Sequence, residues 1–144
     1  MVARSSDRLD GAAAIVREAD DLRHRAVELI DEDGRRYAEV LAAEPHREAD
    51  PDRFTAALAA ANEPPAAVVA IGVRARELGA VLVGSGNPRL RGDATAAGIL
   101  GDAAAATALE LVRLNTAYGA LAGEVLAQAR QRYEDGRHDL GGTR

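Results

Sequence analysis

The chain has 144 residues, 18 basic and 23 acidic side chains, a net charge of -5, and neither cysteine nor tryptophan. That length makes one domain, residues 1–144, with a sizeable core. The acidic balance excludes the basic footprint of nonspecific nucleic-acid binding, and the missing cysteines exclude disulfides, thiolate nucleophiles and cysteine-ligated metals.

Aromatic residues are only 3% of the chain, so Leu, Val, Ile and above all Ala must fill the core. Alanine lets helix axes approach closely, and the expectation is an all-α bundle of long, closely packed Ala-rich helices. Met1–Asp10 is polar rather than signal-like, and no uninterrupted apolar run reaches the roughly 18 residues of a membrane span. A soluble, cytoplasmic protein without a membrane partner is expected. A protomer with so few large apolar residues is poorly buried alone, which points to a homodimer.

Met1–Ser6 reads as a frayed start. From Asp7 to Ala43 apolar residues recur at three- and four-residue steps through Leu22, Ala26, Leu29, Ile30, Tyr37, Val40 and Leu41, although Gly11 and Gly34 each cost roughly 1 kcal/mol against Ala. Asp33 interrupts this series at a core-facing position, one turn before Tyr37. A carboxylate there is costly unless paired or functional, and burial favours the protonated form of a carboxyl, which makes Asp33 a general acid/base candidate. The alternative is a helix-end Asp on a partly wet face.

After a polar connection, Asp50-Pro51-Asp52 signals a helix start, with Phe54, Leu58 and Ala61 on one side. Pro64-Pro65 restarts or kinks it, and Val68, Ile71, Ala75, Leu78 and Leu82 carry the next helix. The stretch Gly84–Asp93 is a stiff corner: two glycines end one helix, Asn87-Pro88 turns the chain, and Asp93 caps the next helix. That helix runs from Ala94 to Tyr118 with Ile99, Leu100, Leu109, Val112 and Leu114 as its apolar positions, while Gly98 and Gly101 mark close packing. A last helix spans residues 121–133, and residues 134–144 read as a disordered tail. His24, His46 and His138 lack metal-ligand spacing, so no metal site is expected. There is no P-loop, dinucleotide fingerprint or Ser-His-Asp arrangement.

The order Asp31-Glu32-Asp33, Tyr37, Glu63-Pro64-Pro65, Gly86-Asn87-Pro88, Arg91-Gly92-Asp93 and Val112-Arg113-Leu114-Asn115 resembles the cyclodeaminase/cyclohydrolase family of folate enzymes, over roughly Asp20 to Gln131. That family includes the C-terminal domain of formimidoyltransferase-cyclodeaminase and free-standing methenyltetrahydrofolate cyclohydrolases. The resemblance implies an all-helical dimer or higher assembly and no cofactor, a tetrahydrofolate derivative being the substrate. It makes Asp33 the catalytic acid, matching the second Asp of the family's Asp-x-Asp-Ala-x-x-Phe motif, with Gly34 for Ala and Tyr37 for Phe. Asn87, Asp93 and Asn115 match family polar positions and join Tyr37 as substrate-binding candidates. Arg89 and Arg91 are placed to meet the glutamate carboxylates of folate.

The implied activity is formimidoyl-tetrahydrofolate cyclodeamination, a lyase reaction, or methenyl-tetrahydrofolate hydrolysis; the residues do not separate the two. The family's N-terminal glycine-rich segment has no counterpart here, so a shortened member is expected. The alternative is therefore a repurposed one, either a non-catalytic helical dimer binding a small anion or partner, or an enzyme of specialised metabolism.

Overall fold

A computed structural model describes residues 1–5, 9 and 11–141, with no side chain after Arg137; His138 of the histidine set lies outside the described side chains. Among the described residues there are five α-helices and no strand: α1 (Ala12–Ala43), α2 (Pro51–Ala60), α3 (Glu63–Ser85), α4 (Arg91–Tyr118) and α5 (Glu124–Gly141).

Helix boundaries follow local chemistry. Gly11, at φ 80, turns the chain into α1 through the left-handed region that glycine tolerates. α1 then passes through Gly34 unbroken. Asp50 caps α2, its carboxylate accepting from the Arg53 backbone N–H at 3.2 Å, and Pro51 fills the first position, where no N–H is needed. Pro64 and Pro65 occupy the first turn of α3 and are buried there, so they start a helix rather than kink one.

α3 and α4 form an antiparallel hairpin whose backbones nearly touch. A methyl group added at Gly72 would lie 2.5 Å from the Gly101 carbonyl oxygen and 2.9 Å from the Ala105 Cβ. One added at Gly79 would lie 2.9 Å from the Gly98 nitrogen. Along α4 the buried positions are Ala94, Gly101, Ala105, Ala108, Val112 and Thr116, a helical stripe made almost wholly of small residues. Around it sit three clusters: Val69, Val73, Ala105, Ala108 and Ala129 joining α3, α4 and α5; Val40, Ala43, Phe54, Leu58 and Ala61 between α1 and α2; and Val2, Ala3, Leu82 and Ala94 at the opposite end.

This packing corrects the expected core. Ile99 and Leu100 are 63% and 69% exposed, and Leu114 is also exposed, because the small-residue stripe takes the inward face of α4. On α1, Ile30, Tyr37 and Leu41 are exposed, and Leu29 and Val40 are buried instead. The frayed start is also corrected, since Val2 and Ala3 belong to a cluster and Arg4 pairs with Asp20 at 2.6 Å. α5 continues to Gly141 where a tail was expected from Glu134; residues 142–144 and Ser6 lie outside the described set. Asp93 sits in the first turn of α4 and caps nothing, because α4 begins two residues earlier.

Two ion pairs align α1 along α3. Arg74 reaches the Glu18 carboxylate with both Nε and Nη2, and Arg36 reaches Glu63 at 3.1 Å. By length and composition, Pro88–Tyr118 is apolar enough to cross a membrane, its 18-residue window of mean hydropathy 1.3 being only 22% buried.

The hairpin contact generates a paired prediction. Gly101→Ala, which would place its methyl 2.7 Å from the Gly72 carbonyl oxygen, destabilises by about 1–3 kcal/mol through overpacking. Gly84→Ala, with open space around it in the last turn of α3, stabilises by about 0.5–1 kcal/mol. Urea midpoints moving in opposite directions confirm the contact; equal midpoints contradict it.

Candidate functional site

With α4's large residues turned outward, a groove opens between α1, the start of α3 and α4. Leu29 and Ile30 come from α1, Pro64, Pro65 and Val68 from α3, and Leu100, Thr107 and Leu111 from α4. Its volume is about 540 Å³, within the range of small-molecule sites. Pro64 and Pro65, buried in the first turn of α3, form a rigid floor. Thr107 is satisfied by its own helix, donating to the Ala103 carbonyl at 2.8 Å.

Asp33 lies in this groove and is the one charged residue among its lining. The expected burial of Asp33 is corrected: the residue is exposed and makes no ion pair among the described residues. Asp33 falls on the same face of α1 as Leu29 and Val40 by the helical period; it is exposed because at this turn that face looks onto the open groove instead of a packed neighbour. The arrangement is an apolar trough with one carboxylate on its wall.

The remaining candidates divide by location. Tyr37 stands one turn beyond Asp33 on α1, exposed. Asn115, half-buried, stands one turn beyond the groove residue Leu111 on α4. These two flank the same end of the molecule. Asn87, Arg89, Arg91 and Asp93 sit at the far end of α3, whose 23 residues span about 35 Å by helical rise. The corner is anchored there: Asn87 accepts from the Arg89 N–H at 3.0 Å and donates to the Ser5 carbonyl at 3.0 Å. Arg89, Arg91 and Asp93 are exposed. One copy therefore does not bring the corner to Asp33.

Sequence reasoning missed a polar cluster beside this end. The Tyr118 hydroxyl donates to Glu44 at 2.6 Å, and Arg47 lies over both Phe54 and Tyr118, whose rings meet edge to face at 5.8 Å. It fastens the α1–α2 turn to the end of α4. Ionisation would forfeit the hydrogen bond that the phenol donates to Glu44 and would also set two anions side by side, so Glu44 holds the Tyr118 pKa above its ordinary value of 10.0. Spectrophotometric titration should find one of the three tyrosines ionising late, and Glu44→Gln should return it toward 10.0; three unshifted tyrosines in the wild type would contradict the contact.

Arg76 was also missed. It falls in the buried series Val69, Gly72, Val73, Arg76, Gly79 of α3, whereas the apolar pattern through Val68, Ile71, Ala75 and Leu78 passes it by, so no break in that pattern marked it.

A family model described as formiminotransferase-cyclodeaminase matches residues 3–132. Comparison with curated proteins and with solved structures finds no match.

Proposed function

Because the chain belongs to the formiminotransferase-cyclodeaminase family, we propose that it is a cyclodeaminase or cyclohydrolase acting at the Asp33 groove on a folate one-carbon derivative, formimidoyl- or methenyl-tetrahydrofolate, or a related compound. The observation that carries this reading is the placement of Asp33, the lone charged group on the wall of an apolar groove large enough for a small molecule. In the deaminase direction a folate nitrogen attacks the formimidoyl carbon and ammonia leaves. In the hydrolase direction water adds to the methenyl carbon and the ring opens. Either reaction needs a group that takes the proton from the nucleophile and delivers it to the departing nitrogen, and a carboxylate within hydrogen-bond reach does both. Tyr37 and Asn115 flank the pocket as positioning groups.

The exposed stripe of Ile30, Tyr37, Leu41, Leu100, Leu111 and Leu114 is covered, in this reading, by a second copy. Ala104 lies at the middle of α4 and also lines the groove. An antiparallel pairing of the two α4 helices centred there sets Asp93 of one copy level with Asn115 of the other. Asn87, Arg89, Arg91 and Asp93 of the second copy then approach Asp33, and the covered groove excludes the water that competes for the proton.

Within one copy, Asp33 and Tyr37 are exposed and Asn87 is remote, which favours a second reading: a non-catalytic helical dimer binding a small anion or a partner. Turnover separates the two. Asp33→Asn should abolish release of ammonia from formimidoyl-tetrahydrofolate, or hydrolysis of the methenyl form, while circular dichroism remains that of the wild type. Undiminished turnover in this variant sinks the assignment of Asp33.

A further inference from the structure

A second site lies outside the Asp33 groove and shares no lining residue with it. Arg76 of α3 is 6% exposed, the most deeply buried cation among the described residues. Its Nη1 donates to Asp102 of α4 at 2.6 Å, but Nε and Nη2 are buried with no hydrogen-bond partner. Those two N–H groups are the side edge of the guanidinium, a parallel pair with the spacing of a carboxylate. Buried unsatisfied donors are costly, and a whole free edge calls for an occupant.

The surroundings state what kind. Arg76 and Arg137 both line a cleft of about 690 Å³ between α3 and α4, with Asp102 beside them and Ala80, Val83 and Ile99 further along. Among the lining residues two guanidiniums stand against one carboxylate, and the nearby Glu77 is neutralised by Arg74, which leaves the polar end positive. The other end is apolar and floored by Gly79 and Gly98. The Tyr133 ring lies 5.9 Å from the Arg76 guanidinium and 5.7 Å from that of Arg137. Above the free edge lies the turn of α5 at Gly136: a methyl group there would fall 2.5 Å from Nη2, 2.5 Å from the Val73 Cγ1 and 3.5 Å from the Oε1 of Glu77, whose carboxylate is already paired with Arg74 at 2.7 Å.

We propose that this junction of α3, α4 and α5 is a binding site for a small amphipathic carboxylate. The carboxylate takes the Nε and Nη2 edge of Arg76, Arg137 supplies the second positive charge, and the apolar body lies along Ala80, Val83 and Ile99. Entry shifts the α5 turn at Gly136 off the guanidinium.

Nitrogen-edited NMR of the full chain reads this directly, with hexanoate as probe and hexanamide and inorganic phosphate as controls. Arg76→Gln identifies the Arg76 Nε–H signal. Millimolar hexanoate should shift that signal and the Gly136 amide together and saturably, while hexanamide leaves both in place. Arg137→Gln, at an exposed position, should keep the fold and weaken hexanoate by about fivefold, as expected for loss of one solvated charge. If the Arg76→Gln chain fails to fold, the concerted Gly136 shift and its weakening in Arg137→Gln carry the test. An unmoved Nε–H signal and Gly136 amide, or phosphate binding as tightly as hexanoate, overturns the proposal.

Discussion

The backbone contact between α3 and α4 governs the rest of the structure. Gly72 against Gly101 and Gly79 against Gly98 bring two long helices close enough that a methyl group at either crossing collides with a carbonyl or an amide. Alanines fill the rest of the seam, and Val69 and Val112 are its fully buried larger members. Dispersion between closely spaced backbones and Cβ atoms here replaces the burial of large side chains. The large residues of α4 consequently have no place in the seam.

That displacement creates the candidate surface. Leu100 and Leu111 stand outward beside Ile30 of α1, and Pro64 and Pro65 floor the space between them. A carboxylate on the wall of such a trough is useful for proton transfer only where water is limited. In the proposed dimer the second copy provides the cover and the corner residues, so the exposed stripe and the remoteness of Gly84–Asp93 have one explanation.

Much of the helix layout was legible in the sequence because it is written in residues with strong local effects. Asp50-Pro51 starts α2, the Pro64-Pro65 pair starts α3, and Gly86 before Asn87-Pro88 ends it, Gly84 remaining helical. The inward faces were less legible. A pattern that counts Leu and Ile as interior misassigns α4, where Gly101, Ala105 and Ala108 are inside and Ile99 and Leu100 are outside. Gly and Ala carry the core without announcing it, since both are also common on surfaces. Asp33 was found by its break in the apolar series, and its groove was not, because the groove's depth depends on how closely α3 and α4 approach. Arg76 interrupts no series that the sequence offered, because the inward face of α3 runs through Val69, Gly72 and Val73, and its significance lies in an unpaired edge that only the folded structure reveals. The extension of α5 was hidden for a related reason: Gly136 reads as a tail residue and serves as the gap that accommodates Arg76.

Subunit complementation tests the central claim, that Asp33 works with the corner of a second copy. Asp33→Asn and Asp93→Asn chains, each prepared alone, are unfolded together and refolded as a mixture, and turnover is compared with the separate variants. Random pairing puts one intact composite site in each heterodimer, so the account predicts two inactive parents and recovery to about a quarter of wild-type turnover. A mixture no more active than its parents, or full turnover by Asp93→Asn alone, would contradict it.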